Sequence, residues 1–166
     1  MKKNVFLLLV ILLLTATLNS CTFATTGYSL EAYSKRMNEL NQNYNMTSEG
    51  YIIDKSACTL KKFFKFSNNE IMLNFKYDKK HRLNEMNLVF DPVIFEENPE
   101  ALTFIYDSVK SFVHNESTYN QLFKLIDFED AIKKIDIKTK SAEADNIKME
   151  IDTTELGTVI TIYKDI

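Results

Sequence analysis

The chain has no tryptophan, three glycines, two prolines, two cysteines and two histidines among its 166 residues. Each shortage closes a route to function. Gly27, Gly50 and Gly157 fall in separate loops, so neither GxGxxG nor GxxxxGK[ST] phosphate cradles nor the GxSxG elbow of hydrolases can be assembled. No nucleotide cofactor is expected. His81 and His114 stand alone in sequence, without HExxH or Cys/His zinc spacing, so no metal is expected either. Cys58 has no CxxC partner and is expected to be a small buried hydrophobe. A run of roughly 20 apolar residues, the length that spans a bilayer as a helix, is also missing.

Charge excludes a further class. The formal charge is −3, with 23 acidic against 20 basic side chains, and the lysines are interspersed with acids. A nucleic-acid partner would call for a basic surplus gathered on one face.

What is present begins at the start. Lys2 and Lys3 precede an unbroken apolar segment from Val5 to Leu14, followed by small and polar residues; this is the order of a secretory signal. Leu18-Asn19-Ser20-Cys21 resembles the lipobox of bacterial lipoproteins. That resemblance covers the first 21 residues and implies diacylglyceryl transfer to the Cys21 thiol, cleavage before it, and attachment to the outer side of the cell membrane. Leu18 and Ser20 occupy the aliphatic and small positions, and Asn19 is a less usual filler. Thiol chemistry suits the reaction because a cysteine ionises near about pH 8.5, far below a hydroxyl. An ordinary secretory cleavage after Ala24, which would remove Cys21, and an uncleaved membrane anchor are the alternatives. Residues 1–20 are thus read as signal peptide, 21–28 as lipidated cysteine and short tether, and 29–166 as one domain. Two acyl chains hold a protein on a bilayer stably, where one does so only marginally.

Ser29 can cap a helix whose apolar residues Leu30, Tyr33, Met37, Leu40 and Tyr44 recur every three or four positions. Residues 51–54 and 59–66 read as short strands. Ile71, Leu73, Phe75 and Tyr77 alternate with polar residues, as do Met86, Leu88 and Phe90, and the charged reversal Asp78-Lys79-Lys80-His81-Arg82 makes the two an antiparallel hairpin. Asn98-Pro99-Glu100 opens a helix with an apolar stripe at Leu102, Ile105, Tyr106, Val109, Phe112 and Val113. Ser117 can cap a second helix and Asp127 a further turn. Residues 138–146 read as polar connection, and 147–152 with 158–163 as a terminal hairpin. Strands in hairpins predict an α+β fold, an antiparallel sheet with helices packed on one face.

No residue stands out as catalytic. The acidic groups Glu96, Glu97 and Glu100, and Asp127, Glu129 and Asp130, sit at helix starts, where the dipole accounts for them. Lys76, Lys79, Lys80 and Arg82 on the first hairpin, with Lys61, Lys62 and Lys65 on the preceding strand, form the candidate interaction surface. Such a run meets anionic lipid headgroups, a wall polymer or an acidic envelope protein, or serves as a solvated edge that discourages strand pairing. In layout, EAYSKRMNELNQNYN, FKYDKKHRLNEMNLVF and TELGTVITIY resemble small uncharacterised lipoproteins of low-GC Gram-positive bacteria. The expectation is a lipid-anchored, extracytoplasmic, non-catalytic binding or interaction module. An enzyme acting on envelope polymers and an immunity or inhibitor lipoprotein are the alternatives.

Overall fold

Period-two burial organises the molecule. In the computed structural model, which describes residues 28–133 and 137–164, seven strands form one sheet: β1 (Ile52–Asp54), β2 (Thr59–Phe66), β3 (Asn69–Tyr77), β4 (Leu83–Phe90), β5 (Lys138–Ala144), β6 (Ile147–Thr154) and β7 (Gly157–Lys164). They lie in the order β1-β2-β3-β4-β7-β6-β5, and every neighbouring pair is antiparallel. The fold is α+β, with helices covering one face.

One inward row shows why these strands meet in this register. Leu73 lies opposite Leu88, Leu88 opposite Ile160, and Ile160 opposite Ile151; all four are fully buried. Each such side chain contributes roughly 1.5–3 kcal/mol by leaving water. At the two ends of the row stand lysines, Lys62 beside Leu73 and Lys140 beside Ile151. Their stems lie on the core while their ammonium groups turn out to the carbonyls of Glu49 and Ile126 at 3.0 and 3.1 Å. On the open face the row Phe63, Met72, Val89 and Val159 is only partly covered.

The helical layer comprises α1 (Leu30–Leu40), a 3-10 turn (Gln42–Tyr44), α2 (Ile94–Glu97), α3 (Pro99–Val113), α4 (Glu116–Ile126) and α5 (Phe128–Lys133). Ser29 caps α1, its hydroxyl accepting from the Ala32 N–H at 3.1 Å. α1 stops at Leu40, so Leu40 is half exposed and Tyr44 belongs to the following turn. α3 carries no single stripe. Ala101, Phe104, Ile105, Ser108, Val109, Ser111, Phe112 and Val113 are all buried, because the sheet lies under this helix while α1 and α4 pack beside it.

Several sequence expectations are corrected. Asn98 does not cap α3 with its side chain, which instead accepts from the Ser67 hydroxyl at 2.9 Å. Asn115, rather than Ser117, caps α4, its side chain accepting from the Thr118 N–H at 3.2 Å. Asp127 is in the left-handed region and closes α4, while its carbonyl accepts from the Ala131 N–H at 2.9 Å. Residues 138–144 form β5 instead of a connection. This strand lies at an edge and needs little apolar surface; Asp145 and Asn146, both with positive φ (50° and 62°), make the tight reversal that pairs it with β6. Cys58 is half-buried in a turn with φ 53°, not buried in a strand, and its thiol donates to the Lys55 carbonyl at 3.7 Å. Gly157 is required at its place: with φ +135°, a Cβ there would stand 2.8 Å from the Phe90 carbonyl oxygen.

Candidate functional site

Cys21, Leu18, Asn19 and Ser20 lie outside the described residues. Lys76, Lys79, Lys80 and Arg82 are all placed, and the structure separates them into two kinds. Lys76 is paired with Glu85 across the β3–β4 ladder at 2.8 Å. Arg82 is paired with Asp78, Nη2 at 2.6 Å and Nε at 2.8 Å from the same carboxylate oxygen. Lys79 and Lys80 are exposed at the tip, and among the described residues neither meets an acid.

Asp78 builds that tip. Its other oxygen accepts from the backbone N–H groups of Lys80 at 2.8 Å and Arg82 at 2.9 Å. Its carbonyl accepts from the His81 N–H at 2.9 Å, and its own N–H donates to the Arg82 carbonyl at 3.0 Å. His81 takes φ 58° to close the loop and stacks on Tyr77, ring centres 5.6 Å apart. Burial raises the Asp78 carboxyl, but the bonds from Arg82 and Lys80 outweigh it and leave the pKa lowered. Charge-assisted bonds of this kind are the stronger class. Asp78→Ala is therefore expected to destabilise the domain by about 1–3 kcal/mol, and the loss should grow less marked as pH falls, because the native carboxylate must take up a proton. Urea unfolding at pH 7 and pH 3.5 checks both.

The first described residue fixes what this hairpin lies beside. The Tyr28 carbonyl accepts from the Leu83 N–H at 2.9 Å, one residue past Arg82. The Tyr28 ring stacks on His114, centres 5.4 Å apart, and carries the Lys164 ammonium 4.5 Å above its centre. Three basic side chains thus gather at the carboxyl end of α3. Arg36 Nε donates to the Ser111 carbonyl at 2.6 Å, and Lys164 donates to the Phe112 carbonyl while lying 4.1 Å from the Phe112 ring centre. Both cations meet the negative end of the helix dipole. The pKa of His114, the third basic group, is pushed down, first by burial and then by the Lys164 and Arg36 charges.

No family model, curated protein or solved structure matches this chain. The chemistry must be read from its own residues.

Sequence reasoning passed over Arg36 and Lys164. The period-two pattern held the signal for Lys164: Thr158, Ile160 and Ile162 are inward, and two positions on is Lys164. Three of the acidic side chains are engaged structurally. Glu129 pairs with Lys133 at 2.6 Å, Asp130 with Lys140 at 4.0 Å, and Glu97 accepts from Asn69 at 2.9 Å. An open groove beside α1 is lined by Glu31, Asn38, Glu39 and Met46, but Asn38 is occupied there in pinning Met46 through two bonds of 2.7 and 2.8 Å. Among the described residues no three His, Cys, Asp or Glu side chains are grouped to hold a metal ion, and no helix is long and apolar enough to cross a membrane.

Proposed function

We propose that this chain is a lipid-anchored extracytoplasmic lipoprotein acting as a non-catalytic binding or interaction module at the outer side of the cell membrane. One observation carries the reading: the basic, apolar and small-residue order of residues 1–20 ends on Leu18-Asn19-Ser20-Cys21, which supplies a signal and a thiol nucleophile in the spacing that lipid transfer uses. The distribution of polar groups supports the non-catalytic part. Arg36 and Lys164 donate to helix carbonyls, Lys76 and Arg82 are paired with Glu85 and Asp78, and Lys79 and Lys80 are presented outward.

In the host, a clickable fatty acid should label the wild-type chain and leave Cys21→Ala unlabelled. Equal labelling of both would reject the anchor. A mature amino terminus at Thr25 would place the cleavage after Ala24 instead.

A further inference from the structure

Resting on the lipid-anchor reading above, we propose that the tip of the β3–β4 hairpin docks, through the Lys79 and Lys80 ammonium groups, on anionic phospholipid headgroups of the same leaflet that holds the Cys21 lipid.

The length of chain between anchor and fold is the first argument. Tyr28 is held at the hairpin by its bond to Leu83 and by the rings and ammonium around it. Cys21 lies seven residues earlier, and at no more than about 3.6 Å per residue the tether reaches about 25 Å. Whatever the path of that tether, the end of the domain bearing Tyr28, Lys79 and Lys80 is the end kept near the bilayer. Strands β4 and β7 run between this end, at Leu83 and Lys164, and the opposite one, at Phe90 and Gly157.

Charge supplies the second argument. At the opposite end Asp91, Glu96, Glu97 and Glu155 are exposed around the α2 and β6–β7 turns. The near end also carries exposed Glu116, Glu143 and Asp145, and the far end carries exposed Lys65, so the attraction for an anionic surface is local to the hairpin tip rather than a polarity of the whole domain. Because Arg82 and Lys76 are already neutralised by Asp78 and Glu85, the attraction falls to Lys79 and Lys80. Each lysine at such a surface favours contact about fivefold, and two favour it about 30-fold. The effect is confined to a Debye length, about 8 Å in physiological salt, which the short tether permits. The Asp78 bonds order the turn, so the two ammonium groups are presented without a large loss of backbone freedom on contact.

The test uses the mature chain, residues 21–166, with Cys58→Ser so that Cys21 is its single thiol. Cys21 is coupled to a maleimide-bearing phospholipid in vesicles of phosphatidylcholine alone or with about 30 mol % phosphatidylglycerol, and a brief amine acetylation is read by mass spectrometry. Lys79 and Lys80 should react about fivefold more slowly on the anionic vesicles. Lys65, exposed near the far end of β2, should react equally on both, and about 0.5 M salt should remove the protection. Equal rates at Lys79 and Lys80 on the two vesicle types would overturn the proposal. So would protection by a soluble anionic wall polymer with none on phosphatidylglycerol, which would give the tip a different ligand. Since the lipid is attached chemically, failure here is distinct from failure of Cys21 acylation in the host.

Discussion

The unfolding free energy falls by about 3–5 kcal/mol when Phe75 is cut back to alanine. Phe75 is fully buried, and three rings from three other segments close on it. Tyr33 of α1 meets it edge-on at 4.8 Å, Phe112 of α3 lies nearly parallel at 6.0 Å, and Tyr51, one residue before β1, is tilted at 6.3 Å. Such a site cannot collapse around a missing ring without moving a helix off the sheet, so the cavity persists and its full cost is felt. Phe63 provides the comparison. It stands on the open face, 43% exposed, and Phe63→Ala should cost under about 1 kcal/mol. Urea titrations of both variants, with unchanged slopes and separated midpoints, would show this; equal losses would mean that the open face is covered by something that adds a second core.

Wild-type stability should rise by about 3 kcal/mol between pH 7 and pH 9.5, and Lys164→Met should abolish the rise. Burial, followed by the Arg36 charge, pushes the Lys164 ammonium down to about 7, whereas in the unfolded chain it titrates near about 10.4. Between those values the unfolded state holds the extra proton, so raising the pH favours folding; below pH 7 the cost of a buried charge is present in full. The Phe112 carbonyl and the Tyr28 and Phe112 ring faces favour the charged form and set how much of that slope appears. Above about pH 10 the trend should reverse, because Tyr33, fully buried, is pushed well above its ordinary range and the unfolded state loses that proton first. Thermal or urea unfolding across pH 6–11 tests it, and a flat wild-type profile would mean that the carbonyl and rings keep the ammonium charged throughout.

The candidate site is partly legible in the sequence. Asp78-Lys79-Lys80-His81-Arg82 reads as a charged reversal because alternating strands flank it, and that is what forms. The sequence gives no way to see that Asp78 takes Arg82 and that Glu85 takes Lys76, since a pairing across a ladder depends on a register shift between Lys76 and Tyr77. β5 was illegible for another reason. An edge strand with one covered neighbour and a helix on one face satisfies its backbone without an apolar alternation, so its residues look like a linker.

Local chemistry determined the elements and their class. A hydroxyl at Ser29, a proline at Pro99 and the alternation through β3, β4, β6 and β7 require helices and half-buried strands, and both require one apolar face to be hidden. Cys21 and the seven residues after it were likewise set by covalent order, which also sets the reach of the tether. Only the tertiary structure decided that β4 pairs with β7, more than sixty residues apart, and hence that Tyr28, His114, Lys164 and the Lys79-Lys80 tip share one end. The reason is that hydrophobic burial specifies which faces must meet but is indifferent to direction; the partner of each edge is settled by how the two halves of the sheet fill the space under the helical layer.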